Sequence, residues 1–132
     1  MKILIVDDTN AMRLFLERLL NVGGYKDVVM AESAMEAFEL LGMRNKGAAS
    51  TDIDVVLLDV VMPKIDGLSA CKKIRERDYL KNIPIVMVSG GEDKGDMESA
   101  VKCGANHYLT KPVDKAVLHA LMKEIESSLQ GE

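Results

Sequence analysis

Residues 55–67 read Val-Val-Leu-Leu-Asp-Val-Val-Met-Pro-Lys-Ile-Asp-Gly, and they are the clearest guide to how this chain folds. Four consecutive apolar residues predict a strand that is buried on both faces. The strand delivers a carboxylate, Asp59, at its C-terminal end. Met62-Pro63 then ends the extended chain, and Asp66-Gly67 supplies a turn and a cap for the next helix. Open α/β sheets bind ligands at this end of their strands, although a turn or capping role is the simpler interpretation of a single Asp.

The composition is that of a globular chain of one domain, residues 1–132. Hydrophobic residues make up 48% and charged residues 29%, which excludes a disordered chain. A net charge of −4 without a basic face argues against direct nucleic-acid binding. No apolar run approaches the ~20 residues of a membrane span, and the N-terminal run is too short for a signal peptide. Cys71 and Cys103 lack a partner motif, which predicts buried free thiols in a reducing, cytoplasmic setting.

Five strand patterns alternate with five helix patterns along the chain. The predicted strands are 3–6, 28–30, 54–58, 83–88 and 105–109, and the predicted helices are about 10–22, 33–41, 67–77, 93–103 and 114–129. Four of the strands are continuous apolar runs, which is typical of a parallel sheet covered on both faces. The alternation therefore predicts a doubly wound α/β fold with right-handed crossovers. Periodicity alone leaves the order of the strands open.

The spacing of apolar residues also predicts the inward face of each helix. The first helix has Leu14, Phe15, Leu19 and Val22 at helical spacing, and the fourth carries Met97, Ala100 and Val101 on one side.

Polar residues follow the strands on one side of the predicted sheet. Asp7 and Asp8 follow the first strand, Asp59 the third, Ser89 the fourth and Lys111 the fifth. Because parallel strands end at the same edge, these residues are expected to be neighbours. Converging carboxylates repel one another and raise a pKa unless a cation lies between them, and an oxygen-only ligand set favours Mg²⁺. Each residue alone is better explained as a turn, cap or solvated side chain; together they predict a site.

This combination suits phosphoryl transfer. An Asp can attack a phosphoryl group to give an acyl phosphate, and the transfer depends mainly on positioning and charge neutralisation. Asp59 would be the attacking group, with the metal, Lys111 and Ser89 around it. The chain has no Gly-rich nucleotide-binding motif, so nucleotide binding has no support.

The ordered set Asp7-Asp8, Asp59, Met62-Pro63, Asp66-Gly67, Ser89-Gly90 and Lys111-Pro112 spans the whole chain. It resembles the receiver domain of bacterial two-component response regulators, the CheY-like class. The resemblance implies a flavodoxin-like (βα)₅ sheet of order 2-1-3-4-5. It also implies a signalling switch in which a histidine kinase or a histidine phosphotransfer protein passes a phosphoryl group to Asp59.

The resemblance further implies the roles of the site residues. Mg²⁺ would be bound by Asp8, Asp59 and the backbone carbonyl of Val61, with Asp7 in supporting contact. Lys111 would pair with the phosphoryl oxygens, and its peptide bond to Pro112 would be cis.

A switch mechanism is also implied. Ser89 would move to hydrogen-bond the phosphoryl group and let Tyr108 turn inward. The face made by the fourth helix, fifth strand and fifth helix would then change its affinity for a downstream protein. No nucleic acid or membrane is expected as a partner, and the chain is expected to be a monomer or a weak, phosphorylation-dependent dimer.

Three positions, Val61, Gly91 and Val113, depart from common choices in the family, and the connection over 42–52 is longer than usual. The first two leave the rate of autodephosphorylation open. The expected chemistry is limited self-phosphorylation and autodephosphorylation rather than enzymatic turnover. Alternatives are a receiver that is part of a longer regulator, an Mg²⁺-dependent phosphatase of the haloacid-dehalogenase type, and a flavodoxin-like FMN carrier. The phosphatase type needs Asp-x-Asp where this chain has adjacent aspartates, and few aromatics are present to stack a flavin.

Overall fold

The structure is a computed structural model that describes residues 1–44, 47, 50–90 and 96–130. Strands and helices alternate through these residues, with a 3₁₀ turn at Asp78–Leu80. The strands are β1 Ile3–Val6, β2 Val28–Ala31, β3 Val55–Asp59, β4 Ile85–Ser89 and β5 His107–Thr110. The helices are α1 Asn10–Val22, α2 Ala34–Leu40, α3 Gly67–Arg75, α4 Asp96–Cys103 and α5 Lys115–Gln130. Within the described ranges, no helix is long and apolar enough to cross a membrane.

The strands form one parallel sheet of order β2-β1-β3-β4-β5, which confirms the predicted fold class and strand order. Every residue of β1, β3 and β4 is buried, as their unbroken apolar runs predicted. In the register, Val6 pairs with Leu58, and Asp59 pairs with Val88. The carboxyl ends of the three central strands are therefore level, and the residues that follow them share one edge.

Alternation along the strands divides the interior into two cores, because successive side chains point to opposite faces. Leu4, Val6, Val56 and Leu58 pack in the core that includes α2 and α3, whereas Ile3, Ile5, Val55 and Leu57 pack in the core that includes α1 and α5. Because helices cover both faces of the sheet, polar side chains collect at its carboxyl edge.

The predicted inward face of α1 is largely wrong, because only Leu19 of its four residues packs partly against the core. Leu14, Phe15 and Val22 are 48%, 40% and 68% exposed, and Leu16 and Leu20 are the residues that α1 buries. Apolar residues occupy most sides of this helix, so spacing alone did not select the face that packs on the sheet.

Two other burial predictions also fail. In α4, Ala100 is buried but Val101 is 69% exposed. Cys71 is buried as predicted, whereas Cys103 is only half-buried at the end of α4.

Several element ends differ from prediction by one or two residues. β4 begins at Ile85 instead of residue 83, because the 3₁₀ turn precedes it and Pro84 has no N–H to donate to a neighbouring strand. β5 begins at His107, two residues later than predicted, and α3 ends at Arg75, two residues earlier. The predicted start of the fourth helix, at residue 93, lies outside the described residues. The same is true of residues 45, 46, 48 and 49 in the middle of the connection over 42–52.

Candidate functional site at the carboxyl edge of the sheet

The carboxyl edge brings Asp7, Asp59 and Lys111 into direct contact. Asp7 follows β1, Asp59 is the last residue of β3, and Lys111 follows β5. The Lys111 Nζ lies 3.2 Å from Asp59 Oδ1 and 3.5 Å from Asp7 Oδ2. Asp7 and Asp59 are only 1% and 4% exposed, so one ammonium group faces two buried carboxylates.

Burial is the largest influence on Asp59. It raises the pKa of this carboxyl, and the neighbouring Asp7 raises it further. Lys111 and the Val61 amide, which donates to the carboxylate, act in the opposite direction. The balance leaves the pKa of Asp59 raised from its ordinary value to about 6. In the absence of further positive charge, the folded chain therefore disfavours the ionised form of Asp59.

Lys111 is held by both its side chain and its backbone. Burial lowers the pKa of its ammonium group, but Asp59 and Asp7 outweigh burial and the pKa ends above its usual value. The Lys111 amide donates to the Ser89 carbonyl at 2.7 Å, and the bond from Lys111 to Pro112 is cis, as predicted. Lys111 is therefore a fixed positive charge at this edge.

The three aspartates form a group that could hold a metal ion. Asp7, Asp8 and Asp59 each offer a carboxylate oxygen, and these oxygens lie within 4.8 Å of one another. Asp8 is exposed, so the group opens to solvent on one side. Hard oxygen donors with room for water suit Mg²⁺, and a cation here would offset the charges of the buried Asp7 and Asp59 carboxylates. The residues present fit the ion that the resemblance implied.

Thr9 and Arg13 position Asp7, a role that the sequence pattern did not predict. The Thr9 amide and hydroxyl both donate to Asp7 Oδ1, at 2.8 and 2.9 Å, and Arg13 Nη1 donates to the Asp7 carbonyl at 2.7 Å. Thr9 stands at the N-cap of α1 but makes no side-chain cap, because its hydroxyl is used on Asp7. The available signal was an Asp two residues before a Thr, the spacing of an Asx turn.

Gly67 is a second residue whose role the sequence did not reveal. A Cβ atom at this position would lie 2.0 Å from the Asp59 carbonyl oxygen, so the start of α3 comes too close to β3 for any side chain. The Gly67 amide donates to the Val60 carbonyl at 2.8 Å. Asp66 caps α3 as predicted, accepting from the Ser69 amide at 2.8 Å. The Asp-Gly pair therefore closes the loop that follows Asp59.

The remaining predicted residues surround this centre at different depths. Ser89 is fully buried at the end of β4, Val61 is 65% exposed after β3, and Tyr108 is half-buried in β5. Gly91 lies outside the described residues, and Val113, where an aromatic is frequent in the family, is buried in the core beside α5.

Comparison with known proteins places the chain in a family. The model of the response regulator receiver domain matches residues 3–123. The chain is 38% identical over 118 residues to the chemotaxis protein CheY1 of Helicobacter pylori, covering 89% of this chain and 90% of that protein. It is 33% identical over 132 residues to the CheY homolog of Campylobacter jejuni, covering 100% of this chain and 97% of that protein.

A solved structure with the same fold was crystallised with a metal. The receiver domain of the sensor histidine kinase PA1611 from Pseudomonas aeruginosa has a magnesium ion coordinated in its active site cleft. It superposes with a TM-score of 0.78 at 27% identity, covering 96% of this chain and 98% of that one.

The chain belongs to the response regulator receiver domain family. It is a phosphoacceptor switch of the two-component type, with a CheY-like, flavodoxin-like fold. Receiver domains of this class act as signalling switches, bind Mg²⁺ in their active site and interact with histidine kinases and downstream targets.

Proposed function

We propose that Asp59 is the phosphoacceptor of this switch and that Lys111 and Ser89 are its catalytic partners. The observation that supports this most directly is the contact of Lys111 Nζ with Asp59 Oδ1 at 3.2 Å. A buried carboxylate with a fixed ammonium beside it matches the requirements of phosphoryl transfer, which are position and charge neutralisation.

In the proposed reaction, an Asp59 carboxylate oxygen attacks the phosphorus of a phosphohistidine on the kinase or phosphotransfer protein. The new P–O bond forms as the P–N bond breaks, and the imidazole leaves with the bonding pair and is protonated by solvent. Lys111 neutralises charge on the phosphoryl oxygens, and the buried Ser89 hydroxyl donates to one of them once it has moved toward the phosphoryl group.

The metal ligands in this proposal are Asp8, Asp59 and the backbone carbonyl of Val61, with Asp7 in supporting contact. Bound Mg²⁺ supplies positive charge that offsets the phosphoryl oxygens and the gathered carboxylates. Thr9 and Arg13 hold Asp7 in place for this role through the hydrogen bonds described above.

We propose that partners distinguish the phosphorylated state on the face made by α4, β5 and α5. Val101 is 69% exposed there, and a cavity of about 290 Å³ is lined by Ala100, Val101, Ala105 and Tyr108, among others. A phosphoryl group brings roughly −1.5 to −2 charges, enough to draw Ser89 inward and favour an inward Tyr108.

The phosphodonor is proposed to dock on the exposed side of α1. This helix begins three residues after Asp7, so its first turns border the site. Leu14 and Phe15 are 48% and 40% exposed on those turns, and neighbouring apolar side chains at an active-site rim favour contact with another protein.

The chemistry is proposed to stop at one phosphoryl transfer and its slow hydrolysis, with no turnover of a free substrate. The chain itself is proposed to act as a monomer or a weak, phosphorylation-dependent dimer.

The test is the intact mass of the chain after incubation with acetyl phosphate and Mg²⁺. One phosphoryl adduct is expected, and it should be absent with Asp59→Asn and absent without metal. An adduct that persists in the folded Asp59→Asn chain would place the acceptor elsewhere. Release of phosphate in many turnovers per chain would favour the phosphatase alternative.

A further inference from the structure

A groove between α2 and α3 lies outside the site described above. Its volume is about 350 Å³, and its floor consists of apolar side chains from α2, from the turn after α2 and from the loop before α3: Met35, Phe38, Met43 and Ile65. Met35 is 47% exposed, whereas Phe38 is 8% exposed and lies at the base. We call this feature the α2–α3 groove.

The rim of the α2–α3 groove is mainly basic. Lys73, Arg77 and Arg44 contribute three positive charges, and Glu76 contributes one negative charge. Arg44 is also paired with the Glu39 carboxylate at 2.8 Å, so the surplus rests on Lys73 and Arg77. Among the described residues, the Lys73 ammonium has no ion-pair or hydrogen-bond partner. Arg77 Nη2 donates to the Met43 carbonyl, which holds this guanidinium at the rim. The surplus of positive charge around an apolar floor is complementary to an acidic ligand that carries an apolar group.

We propose that the α2–α3 groove binds an acidic peptide segment of a partner protein through one aromatic or aliphatic anchor side chain. The volume is at the small end of the range for ligand sites, about 300–1,000 Å³, and suits an anchor side chain rather than a cofactor. Methionine side chains adapt to different anchors because they are unbranched and polarizable.

The polar groups of the groove favour a peptide over a free small molecule. They lie on its rim, and the floor side chains, Met35, Phe38, Met43 and Ile65, bring no charged group to fix a buried ligand. Small-molecule sites bury most of the ligand and orient it with convergent polar groups. A segment of another protein brings its own flanking carboxylates to the rim cations.

The groove also adjoins the phosphoacceptor loop. Ile65 belongs to the loop between β3 and α3, and its amide donates to the Pro63 carbonyl at 2.9 Å. The same loop begins directly after Asp59 and is closed by Gly67. A partner seated in the groove would therefore contact the loop that carries the proposed metal-binding carbonyl of Val61.

The test uses two labelled peptides and the full chain without phosphodonor or Mg²⁺, so that its result is independent of the proposed phosphoryl transfer. The first peptide has one phenylalanine flanked by three glutamates on each side, and the second has alanine in place of the phenylalanine. Binding is followed by fluorescence anisotropy, and amide NMR shifts locate the site. We expect saturable binding of the phenylalanine peptide, with the largest shifts on α2 and α3 and binding at least about fivefold weaker for the alanine peptide.

Matched variants test the rim and the floor separately. Lys73→Glu is expected to weaken binding at least about fivefold, whereas Lys72→Glu makes the same charge change on the same helix away from the groove and should change it less than about twofold. Met35→Gln removes an exposed part of the floor and should also weaken binding without unfolding α2.

Four results with the peptides and variants would overturn the proposal. They are no saturation by about 1 mM peptide, equal binding of the two peptides, equal losses for Lys72→Glu and Lys73→Glu, and shifts that fall outside the groove. Phenylpropionate, a small acid with one aromatic ring, tests the alternative that the groove binds a free small molecule; it is added in competition with the labelled peptide. If it binds the groove as tightly as the peptide does, the occupant is a free apolar acid, and the peptide proposal is wrong.

Discussion

Replacing Asp59 by asparagine is expected to stabilise the metal-free chain at neutral and alkaline pH. The carboxyl is 4% exposed and lies near a second buried carboxylate, Asp7. Its charge is therefore disfavoured in the folded state even though Lys111 lies 3.2 Å away. Asparagine keeps the size of the side chain and removes the charge, so the folded state no longer has to hold it.

The magnitude follows from the pKa of Asp59. It is about 6 in the folded chain and about 3.9 in an unfolded chain, a difference of about two pKa units. Because the folded pKa is the higher one, the folded state binds the proton more tightly, and this contribution to stability is complete only below about pH 4. It is lost as the pH rises to about 6, and the total loss is about 3 kcal/mol. Stabilities of small domains are about 5–15 kcal/mol, so the loss is large.

The assay is urea unfolding of the wild-type chain and Asp59→Asn, followed by circular dichroism with a chelator present. The advantage of the variant is expected to be about 1.5 kcal/mol at pH 5 and about 3 kcal/mol at pH 8. Added Mg²⁺ should stabilise the wild-type chain and reduce the advantage, since a ligand that binds only the folded state favours it. Asp27→Asn, which removes an exposed carboxylate, is the control for the loss of one negative charge.

An advantage of equal size at both pH values would contradict this prediction. Such a result would mean that the amide packs better than the carboxyl, regardless of charge. A variant less stable than wild type at pH 8 would also contradict it. That result would mean that the contact with Lys111 stabilises the Asp59 carboxylate more than burial and the Asp7 charge destabilise it.

Three further predictions concern the residues around Asp59. Gly67→Ala places a Cβ atom 2.0 Å from the Asp59 carbonyl oxygen and should lower the free energy of unfolding in urea by about 1–3 kcal/mol or more. The control Ser69→Ala should lower it less, and equal losses of stability for the two variants would contradict the close approach. Asp8→Asn should abolish the rise in thermal midpoint on adding Mg²⁺ while the metal-free chain stays folded, and an undiminished rise would remove Asp8 from the ligands. Lys111→Met should raise the pKa of Asp59 above about 6, measured by NMR titration of its carboxyl carbon, and slow adduct formation; an unchanged pKa would show that the ammonium does not act on this carboxylate.

The strands and the positions of the polar residues at the sheet edge were largely predictable because their signals are local. Unbroken apolar runs in β1, β3 and β4 correspond to complete burial, and the polar residue after each run meets the others at one edge. The capping role of Asp66 was predicted from its position before Gly67 and is confirmed by its hydrogen bond to the Ser69 amide.

The failures arise where local signals are ambiguous. In α1, apolar residues on several sides fit more than one inward face, and contact with the sheet selected Leu16 and Leu20. Thr9 fits the pattern of a helix cap, but its hydroxyl is used to hold Asp7. Which of several partners a hydroxyl such as that of Thr9 bonds depends on its three-dimensional surroundings, and the spacing of residues along the sequence does not describe these.

The sequence by itself determined the parallel α/β class and the identity of the groups at the edge of the sheet, because buried runs and the residues that follow them are properties of short segments. Only the tertiary structure decided the distances from Lys111 to Asp59 and Asp7, the raised pKa of Asp59 and the need for glycine at position 67. These depend on how β1, β3 and β5 are placed in one sheet, and residues 7, 59 and 111 become neighbours only when β1 pairs with β3 and β4 joins β3 to β5.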